Sequence, residues 1–150
     1  MRQIELTISE LFALESELLG VTYQGNIVLK GLLQQELSYV QKFRLEDIVN
    51  QVKPQRDRLN RLHEELLTIY GEEENGQVVI REFLNADEGE KAINPAFVKA
   101  NEALKSFLDM EVTIQLHAFR ESDFSFTGTE YYPVFNKLIR KLKEQSLVAA

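Results

Sequence analysis

The chain has 150 residues, 44% hydrophobic and 27% charged, with a net charge of −7 and a pI near 4.9. Such a length fits a single domain, residues 1–150, able to bury roughly two-thirds of its unfolded surface, and the composition excludes a disordered polymer. The acidic balance offers no overall field to draw in nucleic acid, and the lack of cysteine excludes disulfides, a thiolate nucleophile and cysteine-ligated metal.

The N-terminal stretch MRQIELTISE carries Glu5 and Glu10 where a signal peptide needs an uninterrupted apolar core. No apolar run approaches the length of a membrane span. A cytoplasmic protein of a host cell, or one packaged into a virion without secretion, is expected. Arg2–Ile8 alternates, with Ile4, Leu6 and Ile8 on one side, as a short half-buried strand or an extended lead-in would. Thr7 and Glu10 form a capping-box pattern, so a helix starts near Ser9, buries Leu11, Leu14 and Leu18, and stops at Gly20. Val21–Asn26, with Gly25-Asn26, reads as a turn.

From about Asn26 the spacing of Ile27, Leu29, Leu32, Leu33 and Leu37 predicts a second helix, with Gly31 inside it at a cost of about 1 kcal/mol relative to alanine. Ser38 either caps a new helix or lies within a continuous one. Leu45, Val52, Leu59 and Leu66 then recur every seven residues, with Ile48, Leu62 and Ile69 between them, a narrow apolar seam. Pro54 interrupts the backbone bonding but leaves the phase of the seam intact, which favours one kinked helix over about 27–70. Gly71 ends it. Glu72-Glu73-Glu74-Asn75-Gly76 contains the Asn-Gly hairpin signal, and Gln77–Phe83 is a strand candidate. Asn85–Lys91 reads as an exposed loop. Asn94-Pro95 caps a helix to about Met110, and Glu111–Leu116 alternates as a strand expected to pair with Gln77–Phe83. Phe119–Thr129 is an aromatic-bearing loop, and Tyr131-Tyr132-Pro133 opens a last helix with Phe135, Leu138, Ile139 and Leu142 on one face. No internal repeat is evident. The expected fold is α+β and mostly α: a long kinked central helix packed by three shorter ones, with a small two- or three-stranded antiparallel sheet.

Six blocks, in this order, carry a resemblance: ISELFALESELLG, GLLQQELS, LHEELLTIYGEEENG, INPAF, DMEVTIQL and DFSFTGTEYYPVFNKLI. Together they span nearly the whole chain, which resembles small uncharacterised proteins of tailed phages and prophages, especially of gut and marine bacteria. Pro54 departs from that pattern. The resemblance brings no assigned activity, cofactor or site residue. It implies a phage-derived protein, virion-associated or an assembly accessory.

No catalytic constellation emerges from the residues themselves, and no cofactor is called for. GxGxxG, GxxxxGK[ST] and GxSxG are absent. The acidic turn places Glu73, Asn75 and Glu82 at calcium-loop positions three, five and twelve, but Gly71 at position one has no side-chain oxygen. The plain reading is a solvated hairpin tip. His63 lacks the second histidine of a metalloprotease helix, and His117, at a strand end, could face Glu111 or Asp123. Lys137, Arg140, Lys141 and Lys143 make the last helix locally basic, either as a solvated face near a helix C-terminus or as a patch for an acidic partner or nucleic acid. Self-association through part of the 45–71 seam stays open on geometry. The best-supported reading is a non-enzymatic partner-binding protein; the alternatives are a host-directed regulator using the basic helix and, more remotely, an enzyme using His117.

Overall fold

The computed structural model describes residues 2–84, 92–117, 119 and 132–149, with side chains through 145. The mostly α, α+β architecture holds: among the described residues there are four α-helices and three two-stranded antiparallel sheets. The chain forms two compact units, Met1–Lys53 with Glu111–Ala150, and Pro54–Met110.

In the first unit, β1 (Arg2–Thr7) pairs antiparallel with β6 (Glu111–Leu116), from Arg2 opposite Leu116 to Thr7 opposite Glu111. The expected pairing of Glu111–Leu116 with Gln77–Phe83 is thus corrected. The alternation of both strands explains the choice, since Ile4 meets Ile114 and Leu6 meets Val112 on one shared face. Thr7 ends the strand and caps α1 (Ile8–Leu19): its hydroxyl accepts the Glu10 N–H at 3.1 Å while the Glu10 carboxylate accepts the Thr7 N–H at 3.2 Å.

The next segment departs from expectation. Val21–Tyr23 (β2) and Asn26–Leu29 (β3) form a hairpin, not a turn followed by a helix. Its turn residues are Gln24 (φ +50°) and Gly25 (φ +79°), the left-handed pair of a type I′ turn, one position earlier than the Gly-Asn reading. Gly31 lies at a backbone crossing: a Cβ there would sit 2.5 Å from the Leu18 carbonyl oxygen and the Gly20 nitrogen. After a short 3-10 turn at Leu32–Gln34, the Ser38 hydroxyl accepts the Gln41 N–H at 3.3 Å and starts α2 (Tyr39–Tyr70). The central helix therefore begins at residue 39 rather than 27, because the β-branched and aromatic residues 21–28 are taken by the hairpin. It runs through Pro54 as one helix.

Leu45, Ile48 and Val52 of α2 are buried with Leu11, Leu14 and Leu18 of α1. The same cluster takes Phe135, Leu138, Ile139 and Leu142 of α4 (Pro133–Ala149), as the spacing predicts. The Phe119 ring meets Phe135 edge-on at 5.9 Å. Both edges of the β1–β6 ribbon are covered by side chains. Lys141 and Gln145, one turn apart on α4, donate to the Glu5 and Gln3 carbonyls at 3.2 and 3.0 Å. On the other edge the Gln51 amide both donates to and accepts from the Gln115 backbone at 2.8 Å, as a third strand would.

In the second unit, Gly71 follows α2 and a hairpin of β4 (Glu72–Glu74) and β5 (Gln77–Val79) turns at Asn75 (φ +53°) and Gly76 (φ +79°). The strand expected to reach Phe83 stops at Val79; Phe83 instead bridges Ile93. Asn94 caps α3 (Pro95–Leu108) through the Ala96 N–H at 3.1 Å, and its amide donates to the Arg81 carbonyl at 2.9 Å. The predicted loop 85–91, and the aromatic loop 119–129 beyond Phe119, lie outside the described residues.

Candidate functional site

His117 meets a carboxylate, but neither expected one. Its Nε2 is 3.3 Å from Asp47 Oδ2, on α2. Glu111 sits at the opposite end of β6, roughly 20 Å away at about 3.4 Å per residue, and Asp123 lies outside the described residues. The pair is surface-borne, with the side chains 35% and 57% exposed, so water competes for both partners. His63 is exposed on α2. It lines an apolar cavity of about 230 Å³ with Leu66, Ile80, Phe97, Asn101 and Leu104. That volume is below the roughly 300–1,000 Å³ of ordinary small-molecule sites.

At the acidic hairpin, the Arg81 guanidinium lies 3.3 Å from Glu74 and 3.9 Å from Glu72. A cation is thus already supplied by the chain. Among the described residues no group of three or more His, Cys, Asp or Glu is arranged to hold a metal ion. Glu73 faces Val78 across the ladder and Asn75 forms the turn.

The basic helix divides. Lys137 donates to Glu10 Oε2 at 2.7 Å, and this hydrogen bond is the main reason the Glu10 carboxyl is held below its ordinary range. Lys141 is committed to the Glu5 carbonyl. Arg140 and Lys143, three residues apart, are exposed, so the four-cation patch is reduced to two. An open groove of about 770 Å³ between β1 and α4 is lined by Arg2, Glu5, Lys141 and Glu144, two charges of each sign. It has no net preference for either.

The feature that sequence reasoning missed is the β2–β3 arm. Tyr23 and Asn26 face each other on one side of the ribbon, and Thr22 and Ile27 on the other; all four are exposed. Leu29, at the base of the ribbon, packs against the core, while residues 21–28 are exposed. Tyr23 and Ile27 are 67% and 68% exposed, with Val28 and Leu19 also open to solvent. Close by in sequence, the Tyr39 and Phe43 rings stack at 6.4 Å on the exposed first turns of α2. Residues 18–29 carry no charge. The available signal was the cluster of β-branched and aromatic residues around Gln24-Gly25, a less distinctive turn pair than Asn75-Gly76.

No helix among the described residues is long and apolar enough to cross a membrane. Comparisons with protein families, with curated proteins and with solved structures found no match to this chain.

Proposed function

We propose that the protein is a non-enzymatic interaction component, a structural or assembly accessory of a phage or prophage, which engages another protein surface through the β2–β3 arm. The observation that supports the interaction role is the uncharged, apolar ribbon whose residues 21–28 are all exposed. A two-stranded hairpin is marginal by itself in water, and exposed apolar patches of this kind mark contact surfaces. The phage setting rests on the sequence resemblance alone. The alternative of a regulator acting through the basic helix is weakened by the commitment of Lys137 and Lys141 to Glu10 and Glu5.

The test replaces Tyr23 with a photo-crosslinking benzoyl-phenylalanine in expressing cells, with the same probe at exposed Thr68 as control. Adducts at position 23 well above the control are expected. A result with none at position 23, and with the protein missing from purified particles, refutes the reading.

A further inference from the structure

Among the described residues, the strand edges differ in how they are protected against pairing. The β1 edge is covered by Lys141 and Gln145, and the β6 edge by Gln51. The β4–β5 hairpin has the same turn geometry as β2–β3 but carries three glutamates on its first strand. Both hairpins follow a helix and a glycine, in the matching stretches GVTYQGNIV and GEEENGQVV, so the fold uses one device twice and charges only the second. An uncharged, uncovered edge is a template for pairing with another strand.

The register indicates which edge is available. The two-residue turn closes on Tyr23 opposite Asn26, whose backbone groups bond to each other. Thr22, one step further, therefore turns its N–H and C=O outward on the β2 side. On the β3 side Val28 is an extra residue, since Val21 pairs with Leu29 and Thr22 with Ile27. That bulge blunts the β3 edge and leaves β2 as the regular one.

We infer that β2 pairs antiparallel with β2 of a second copy of this chain about a two-fold axis at Thr22, giving a four-stranded sheet; this rests on the interaction role proposed above. The Val-Thr-Tyr sequence is self-complementary in that register. Thr22 meets Thr22 of the second copy, and each Tyr23 meets a Val21, an aromatic on a β-branched partner. An isologous contact brings every residue near the axis against its own copy. In a chain of charge −7 only a charge-free edge avoids repelling itself there, and residues 18–29 meet that condition. Edge pairing of two three-residue strands buries mainly the backbone and the side chains of Val21, Thr22 and Tyr23, less than the roughly 1,000 Å² of a stable specific interface. A reversible dimer, not an obligate one, follows.

The chain contains no cysteine, so single replacements report the register directly. A mixture of Val21→Cys and Tyr23→Cys proteins should form the mixed disulfide rapidly under mild oxidation. A mixture of Val21→Cys with Val78→Cys, on the other hairpin, should not. Light scattering should show the mass rising toward twice 17.4 kDa with concentration, and Tyr23→Lys should raise the dissociation constant at least about tenfold. Circular dichroism melts verify that this exposed substitution leaves the fold intact. The inference is overturned by a monomer at millimolar concentration, by a dimer that Tyr23→Lys leaves unchanged, or by no excess of the 21–23 disulfide. If the probe at position 23 captures only other proteins, the second copy is excluded while the interaction role stands.

Discussion

The N-terminus of α4 is capped from another helix, and removing that cap is expected to destabilise the fold substantially. Pro133, Val134 and Phe135 are its first three residues, and Tyr132 precedes them with its hydroxyl committed to the Lys30 carbonyl at 2.6 Å. The first amides of a helix have no acceptor within it, so a group from outside must take them. Glu17 of α1 does so: its two carboxylate oxygens accept the Phe135 N–H at 3.0 Å and the Val134 N–H at 3.2 Å. Glu17 is only 5% exposed. Glu17→Ala leaves two amides without acceptors at about 1–3 kcal/mol each, offset in part because a buried charge is no longer desolvated. A net loss of about 2–3 kcal/mol lowers the melting temperature by roughly 5–10 °C for a chain of this size. Glu17→Gln keeps one acceptor and should fall between. Burial pushes the Glu17 carboxyl up, against the two amides. Its linked stability is thus greatest when it is protonated and declines as pH rises through the raised folded-state value. Wild type should accordingly gain on Glu17→Gln as pH is lowered from neutral into the carboxylate range. Thermal melts of the three proteins at several pH values provide the assay. A Glu17→Ala protein melting within about 1 °C of wild type would refute the capping role.

Lys137→Met removes the hydrogen bond that holds Glu10 down. It should cost a few tenths to about 1 kcal/mol at neutral pH, and the difference from wild type should vanish as pH falls through the depressed Glu10 value. Pro54→Ala restores an amide in the exposed interior of α2. Relief of up to about 3 kcal/mol is available, so chemical denaturation should give a higher midpoint; a lower one would mean the helix is built around the proline. Gln51→Leu deletes both bonds to the Gln115 backbone and should speed hydrogen exchange at the Gln115 amide while leaving Ile114 protected. Gln24→Asn converts the arm's turn to the Asn-Gly pair used at 75–76. It should stabilise the hairpin by about 0.5–1 kcal/mol, seen as stronger cross-strand NMR contacts between Thr22 and Ile27.

Local chemistry was legible wherever one short stretch contains its own explanation. The Thr7–Glu10 box, the Asn75-Gly76 turn, the Asn94-Pro95 cap and the apolar face of residues 135–142 each depend on neighbours within a few positions, and each stands where the residues predict. The class of fold follows from them. Three outcomes depended on residues far apart in the chain. Ile27, Leu29, Leu32 and Leu33 fit a helical spacing, yet close passage of Gly31 against Leu18 and Gly20 takes them into a hairpin and a 3-10 turn. Glu111–Leu116 could pair with any alternating strand, and only the shared core with α1 and α4 selects Arg2–Thr7. Lys137 and Lys141 read as free cations until the fold brings Glu10 and the Glu5 carbonyl to them. The candidate site belongs to this second kind: residues 21–28 declare a ribbon's composition, but whether its faces meet a core or water is decided by the tertiary packing around it.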